Sequence, residues 1–211
     1  MNKKERKLNS AELKRKEHYD KVCEKMNGLG YNKRDFTVGV FLINILSIFL
    51  TVPFVLAMLV LYFISNYDKT QSYSLSYGIM FIILIFLIVL HEAIHGLTFG
   101  VFTKNHLKDI SFGVVWKALT PYCTCAEPLK RWQYILGAAM PTLILGFVMG
   151  FTAIAFNQLW LFLLSEIMIF AGGGDFFIII KMLLYRPRGK NVLYYDHPYE
   201  CGFVVFEKSD K

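Results

Sequence analysis

His91, Glu92 and His95 stand in the order His-Glu-x-x-His inside the run FIILIFLIVLHEAIHGLTFG, which carries no other ionisable residue. On a helix, positions i and i+4 share a face, so both imidazoles can bind one Zn²⁺ while the intervening carboxylate reaches a metal-bound water. A charged group in hydrocarbon costs about 2.5–3.5 kcal/mol even on a lenient insertion scale, so such residues are rarely placed there without a partner or a task. The chemistry this predicts is metal-assisted hydrolysis, with His91 and His95 as ligands, Glu92 as general base and Zn²⁺ as cofactor. The plainer reading is two histidines hydrogen-bonded between helices, with Glu92 as a structural acceptor.

A hydrolytic zinc site needs a third protein ligand and an open fourth position. Within the apolar segments the remaining acids are Glu166 and Asp175; outside them lie His106, Asp109, Glu127, Asp196 and His197. Depth chooses among them. Counted from Leu75, His91 lies about 24 Å into its helix at 1.5 Å per residue, and Asp175, counted from Trp160, about 22 Å into a later one. Glu166 reaches only about 9 Å by the same rise. Asp175 is therefore the expected third ligand, with His106 or His197 as replacements if the count is off by a turn. Gly172-Gly173-Gly174 before the acid permits close helix approach or a local break facing a cavity. The simpler alternative there is glycine packing, with Asp175 paired to Lys181.

These residues must be held by elements in a bilayer. Of 211 residues 55% are apolar, mean hydropathy is +0.42, and Phe occurs 19 times. The apolar residues come in blocks: 39–66 is uncharged, 74–103 carries only the motif, 132–157 is uncharged, and 159–180 holds only Glu166 and Asp175. Each exceeds the roughly 20 residues that cross a ~30 Å hydrocarbon core. The expected fold class is an all-α integral membrane protein of four transmembrane helices, with a small β-hairpin insert between helices two and three. Its strands would be Ile110–Trp116 and Thr120–Cys125. Lys and Arg number twenty-two on one side against Lys69 on the other, which puts both termini in the cytoplasm of a multi-pass cell-membrane protein. The net charge of +7 is then a rim facing anionic lipid and calls for no nucleic-acid partner.

The expected organisation is a charged N-terminal helix in 1–37, a four-helix metallopeptidase domain in 38–184 and a cytoplasmic tail in 185–211. The stretch Ser10 to Met26 reads as a mostly solvated helix. No cleavable signal peptide is expected, because the first thirty-five residues are strongly polar. Cys23, Cys123, Cys125 and Cys201 all fall on the cytoplasmic side, so no disulfide is expected. Cys123-Thr-Cys125 reads as plain loop rather than a soft-metal site.

HEAIHG in one membrane helix, a short hydrophilic insert, a Gly-Ala-Ala-Met-Pro helix start and a later Gly-Gly-Gly-Asp helix together resemble the putative zincin peptidase family of small bacterial membrane proteins. That family is in turn similar to the site-2 proteases, in which His-Glu-x-x-His on one helix and an Asp on a later one bind zinc within the bilayer. The resemblance spans about Val38 to Lys190. It implies that His91, His95 and Asp175 bind Zn²⁺ and that Glu92 is the general base. The site-2 pattern near its Asp reads Asn-Pro-Asp-Gly or Leu-Asp-Gly, whereas this chain has Gly-Gly-Asp-Phe. The expected function is zinc-dependent hydrolysis of peptide bonds in membrane-associated substrates, with the bilayer and such a substrate as partners. The alternatives are a non-catalytic zinc-binding membrane protein and a small cation or proton transporter.

Overall fold

The computed structural model describes residues 8–69, 75–116, 120–189 and 191–208. Of the lysines and arginines counted above, Lys3, Lys4, Arg6, Lys7, Lys117, Lys190 and Lys211 lie outside these.

Helix α1 (Ser10–Gly28) starts at a reciprocal cap. The Asn9 side chain accepts from the Glu12 backbone N–H at 2.8 Å, and the Glu12 carboxylate accepts from that of Asn9 at 2.9 Å, which satisfies two of the orphan donors of a helix start. Strand β1 (Tyr31–Val38) follows, then α2 (Val40–Asn66) and α3 (Tyr77–Phe102). The hairpin comprises β2 (Ile110–Val115) and β3 (Thr120–Cys125), antiparallel, with Ile110 opposite Cys125 and Val115 opposite Thr120. Helix α4 (Arg131–Pro141) runs through a wider π-type stretch, Thr142–Val148, into α5 (Met149–Ala155). Helices α6 (Leu159–Ala171) and α7 (Gly173–Leu184) meet at a 43° bend. Strands β4 (Val192–Asp196) and β5 (Cys201–Lys208) complete the described chain.

Three helical stretches are long and apolar enough to cross a membrane: α2, α3 and the continuous run Arg131–Ala155, of 27, 26 and 25 residues. The bent pair α6–α7 is a fourth candidate if taken as one span. Their outer faces carry exposed Phe41, Phe49, Ile64, Phe81, Ile82 and Val101, the arrangement expected where the surrounding solvent is hydrocarbon rather than water. Large apolar side chains such as Tyr62, Phe162 and Met168 fill much of the space between helices, and at a few points glycines let the backbones approach closely. A side chain on Gly150 would run into Met58 and Ser165, and one on Gly146 into Ile169. Helix α3 packs on α4, and α7 on α2 and α4.

The segments flanking the bundle form a three-stranded antiparallel sheet in the order β1-β5-β4, with Tyr31 opposite Lys208 and Val38 opposite Cys201. Its centre, β5, is buried on both faces, and the two-residue period divides its side chains. Phe203 and Val205 join Phe99, Tyr134 and Met182 beneath the bundle, while Val204 and Phe206 meet Tyr19, Val22 and Met26 of α1. The N-terminal helix thus has a buried stripe at helical spacing. It differs from the solvated helix expected because Tyr19 and Met26 complete a face that Val22 alone does not make.

Candidate metal centre

His91 and His95 project from one face of α3, and Asp175 from the first turn of α7. The carboxylate Oδ2 of Asp175 lies 3.4 Å from His91 Nε2 and 3.3 Å from His95 Nε2. Both histidines are buried. Among the described residues these three form the one His/Cys/Asp/Glu group able to hold a metal, with ligand atoms all within 4.8 Å of one another. A tetrahedral Zn²⁺ with bonds of about 2.0–2.2 Å separates its ligand atoms by about 3.3–3.5 Å. The two histidine–aspartate separations fall on that edge, and two imidazoles with one carboxylate is a donor set that suits zinc. Glu92, half-buried on the same helix, lies within electrostatic reach of all three.

The local sequence explains the geometry. His95 Nδ1 lies 2.9 Å from the Gly137 carbonyl of α4, so Nδ1–H donates to that oxygen and Nε2 presents its lone pair to the metal position. The carbonyl is free to accept because its intrahelical partner four residues on is Pro141, which has no N–H. Gly137 itself lets the helices approach, since a Cβ there would overlap the Phe99 ring. The Gly-Ala-Ala-Met-Pro run therefore makes a second-layer support for one ligand. Among the described residues His91 has no equivalent, and its Nδ1 is buried without a hydrogen-bond partner there.

Asp175 is brought to the histidines by the break between α6 and α7. A Cβ at Gly172 would overlap Thr142, and one at Gly173 would sit 2.6 Å from the Ser47 Cβ. Both uses weighed for the glycines, close approach and a break, occur together. Arg131, at the start of α4, donates to the carbonyls of Met182 and Tyr185 at the end of α7, fastening the helix that supports His95 to the helix that carries Asp175.

The other candidate ligands stand elsewhere. His106 Nδ1 faces the Gly100 carbonyl at 3.1 Å, and the Asp109 carboxylate accepts from Asn105. His197 Nδ1 accepts the Glu200 backbone N–H at 3.0 Å. Cys125 Sγ reaches the Glu127 carbonyl at 3.6 Å. Glu166 is buried on α6, both carboxylate oxygens without a hydrogen-bond partner among the described residues. Asp196 is tied to Tyr134 and to the Cys125 backbone. None of the four cysteines is in a disulfide. Burial pushes the Cys123 thiol up and takes the Cys125 thiol, beside Asp196, to about 12, so both stay protonated at neutral pH. Sequence reasoning missed Gly137, Pro141 and Tyr134. The signal available was a proline four residues after a glycine in a membrane helix.

The hairpin lies across the motif face of α3: a Cβ at Gly96 would run into the Phe112 ring and the Ile110 side chain. Cys123, opposite Phe112 in the ladder, is the hairpin residue within electrostatic reach of both Glu92 and Asp175.

Two histidines one turn apart on a helix, their intervening glutamate and a carboxylate from a later helix define a zincin type of site. Residues 84–190, about half of the chain, match the family described as putative zincin peptidase, and the protein belongs to that family. The family description points to a zinc-dependent metallopeptidase. No curated protein and no solved structure matches the chain.

Proposed function

We propose that the protein is a zinc-dependent, membrane-embedded peptidase that hydrolyses peptide bonds of membrane-associated substrates, with an arrangement like that of the site-2 proteases. The observation that carries this reading is the convergence of His91, His95 and Asp175 from two separate helices at zinc-like spacing. Those three residues would hold Zn²⁺, which when bound would supply Lewis-acid polarisation of the scissile carbonyl and make water more acidic. Glu92 takes the proton of the attacking water and returns it to the leaving amine. The Gly137 carbonyl fixes the His95 tautomer throughout, and the hairpin covers one side of the cleft.

The sheet topology supports a reading of four crossings, with both termini on the cytoplasmic side. Strand β1 precedes the first long apolar helix and β5 follows the last, yet the two are hydrogen-bonded neighbours. A sheet held on one side of a bilayer favours an even number of crossings, and α6–α7 is the candidate for the fourth. The lysine and arginine count favours the cytoplasm for that side.

Metal analysis of the detergent-purified chain tests the reading. One zinc per chain is expected for the native protein and for Glu92→Gln, and little for His91→Ala or Asp175→Ala. With a quenched fluorescent library of apolar single-span peptides as probe, Glu92→Gln is expected to lower turnover by about 10²–10⁴. Near-stoichiometric zinc in Asp175→Ala removes that residue from the site. Unchanged turnover in Glu92→Gln removes the peptidase mechanism in favour of a structural or carrier role for the metal.

A further inference from the structure

Asp196, a loop acid by sequence and no ligand by position, is largely buried at the end of β4, where one oxygen accepts the Tyr134 hydroxyl of α4 and the other the Cys125 backbone N–H of β3 at 2.7 Å. Each bond leads to the metal centre. Tyr134 precedes Gly137 by three residues, so the two lie on one face of α4, and Gly137 holds His95. Cys125 precedes α4 in the chain and follows Cys123 by two residues, on the same face of the strand, and Cys123 stands opposite Phe112, whose ring lies against Gly96 of the motif helix. The strand bearing Asp196 is itself registered on the segment before α4: the backbone groups of Leu129 and Tyr194 exchange two hydrogen bonds of 2.8 Å. Tyr134, Phe203 and Phe99 pack in one cluster around this junction.

We propose that Asp196 is a positioning residue of the metal centre. It latches the helix that orients His95 and the hairpin that covers Glu92 to the same strand of the cytoplasmic sheet, so the tautomer of a ligand and the cover of the site are set together from outside the membrane-spanning segments. This rests on the reading that His91, His95 and Asp175 hold the metal. A carboxylate suits the task because it accepts from two donors at once, one on each oxygen. An aliphatic residue leaves a buried hydroxyl and a buried N–H unpaired, and asparagine preserves both contacts, accepting from Cys125 and donating to the tyrosine oxygen.

The test uses the full chain loaded with Co²⁺, whose visible ligand-field bands report the geometry of its ligands. Asp196→Ala is expected to shift those bands, weaken metal retention against a chelator by about 10–100-fold, and raise the rate at which a maleimide labels Cys123, measured for that residue by peptide mass. Asp196→Asn is expected to restore most of all three. Tyr134→Phe keeps the ring in the core and removes only the link to α4, so it is expected to shift the bands and leave Cys123 labelling unchanged; this variant serves if Asp196→Ala does not fold. Asp196→Ala or Tyr134→Phe with native bands and native metal retention overturns the proposal while leaving the metal site intact. A native chain that binds no Co²⁺ overturns the metal reading and this inference with it.

Discussion

Gly173 and Gly174 are adjacent, yet the structure assigns them opposite responses to a single methyl group. A Cβ on Gly173 would stand 2.6 Å from the Ser47 Cβ and 3.1 Å from the Ser47 Cα and carbonyl oxygen of α2. Ordinary contact begins near 3.4 Å, so α7 and α2 must separate by about 0.8 Å, and the obstacle includes backbone that cannot rotate away. Overpacking of this kind costs about 1–3 kcal/mol. Asp175 is two residues further on, and metal–ligand bonds tolerate only about 0.2 Å. Gly173→Ala is therefore expected to weaken zinc binding by about 10–100-fold, the range for disturbed second-layer support, and to lower the unfolding temperature. A Cβ on Gly174 would meet only the Ile43 Cγ2 at 3.9 Å. Gly174→Ala is expected to keep native affinity and gain up to about 1 kcal/mol from helix propensity. Zinc affinity by chelator competition and thermal unfolding, both in detergent, measure the pair. Equal affinity in the two variants refutes the placement of α7 against α2 as the device that presents Asp175.

Two further outcomes follow from the supports of the site. Pro141→Ala supplies an N–H that competes with His95 for the Gly137 carbonyl; zinc affinity is expected to fall several-fold in a chain that still folds, and an unchanged affinity removes the carbonyl from the site's design. Burial raises Asp196 from 3.8 to about 6 despite its two donors, with Tyr134, Cys125, Lys14, Arg15 and His18 facing the same region. The folded state thus binds this proton more tightly than the unfolded chain does, so the associated stability is fully present below about pH 4 and is lost as pH rises through 6. Its ceiling is about 3 kcal/mol, from roughly two units at 1.36 kcal/mol each. Unfolding temperatures of the metal-free protein between pH 4.5 and 7.5 are expected to fall more steeply in the native chain than in Asp196→Asn, and parallel curves count against it.

Much of the bundle was legible because long apolar runs follow a simple code: 39–66, 74–103 with only the motif charged, and 132–157 became α2, α3 and the α4–α5 run with ends shifted by a few residues. The hairpin was legible from two β-branched and aromatic runs, and Thr120–Cys125 is a strand over the same residues. The His-Glu-x-x-His spacing put two imidazoles on one face by helix geometry alone. The bend at Gly172 was one of two open readings, since glycines alone do not tell packing from a break; Thr142 and Ser47, which supply the neighbours, are distant in sequence. The three-stranded sheet was not legible. Strand β1 carries Lys33, Arg34 and Asp35 in succession, which hides its alternation, and the apolar run Phe203–Phe206 finds its partners across the whole bundle. Pairing between such distant segments leaves no local trace. The support at Gly137 was hidden for a related reason: a free carbonyl is a property of the backbone, and only Pro141 betrays it.

The pairing of Tyr31 with Lys208 also orders events in time. A ribosome adding roughly 5–20 residues per second releases β1 roughly 8–35 s before β5 exists to receive it, and every helix from α2 to α7 is made in between. The histidines are made early, whereas β5 is made only after every one of those helices. The nascent chain thus holds His91, His95 and Asp175 before the sheet that packs against Phe99 and Tyr134 can close.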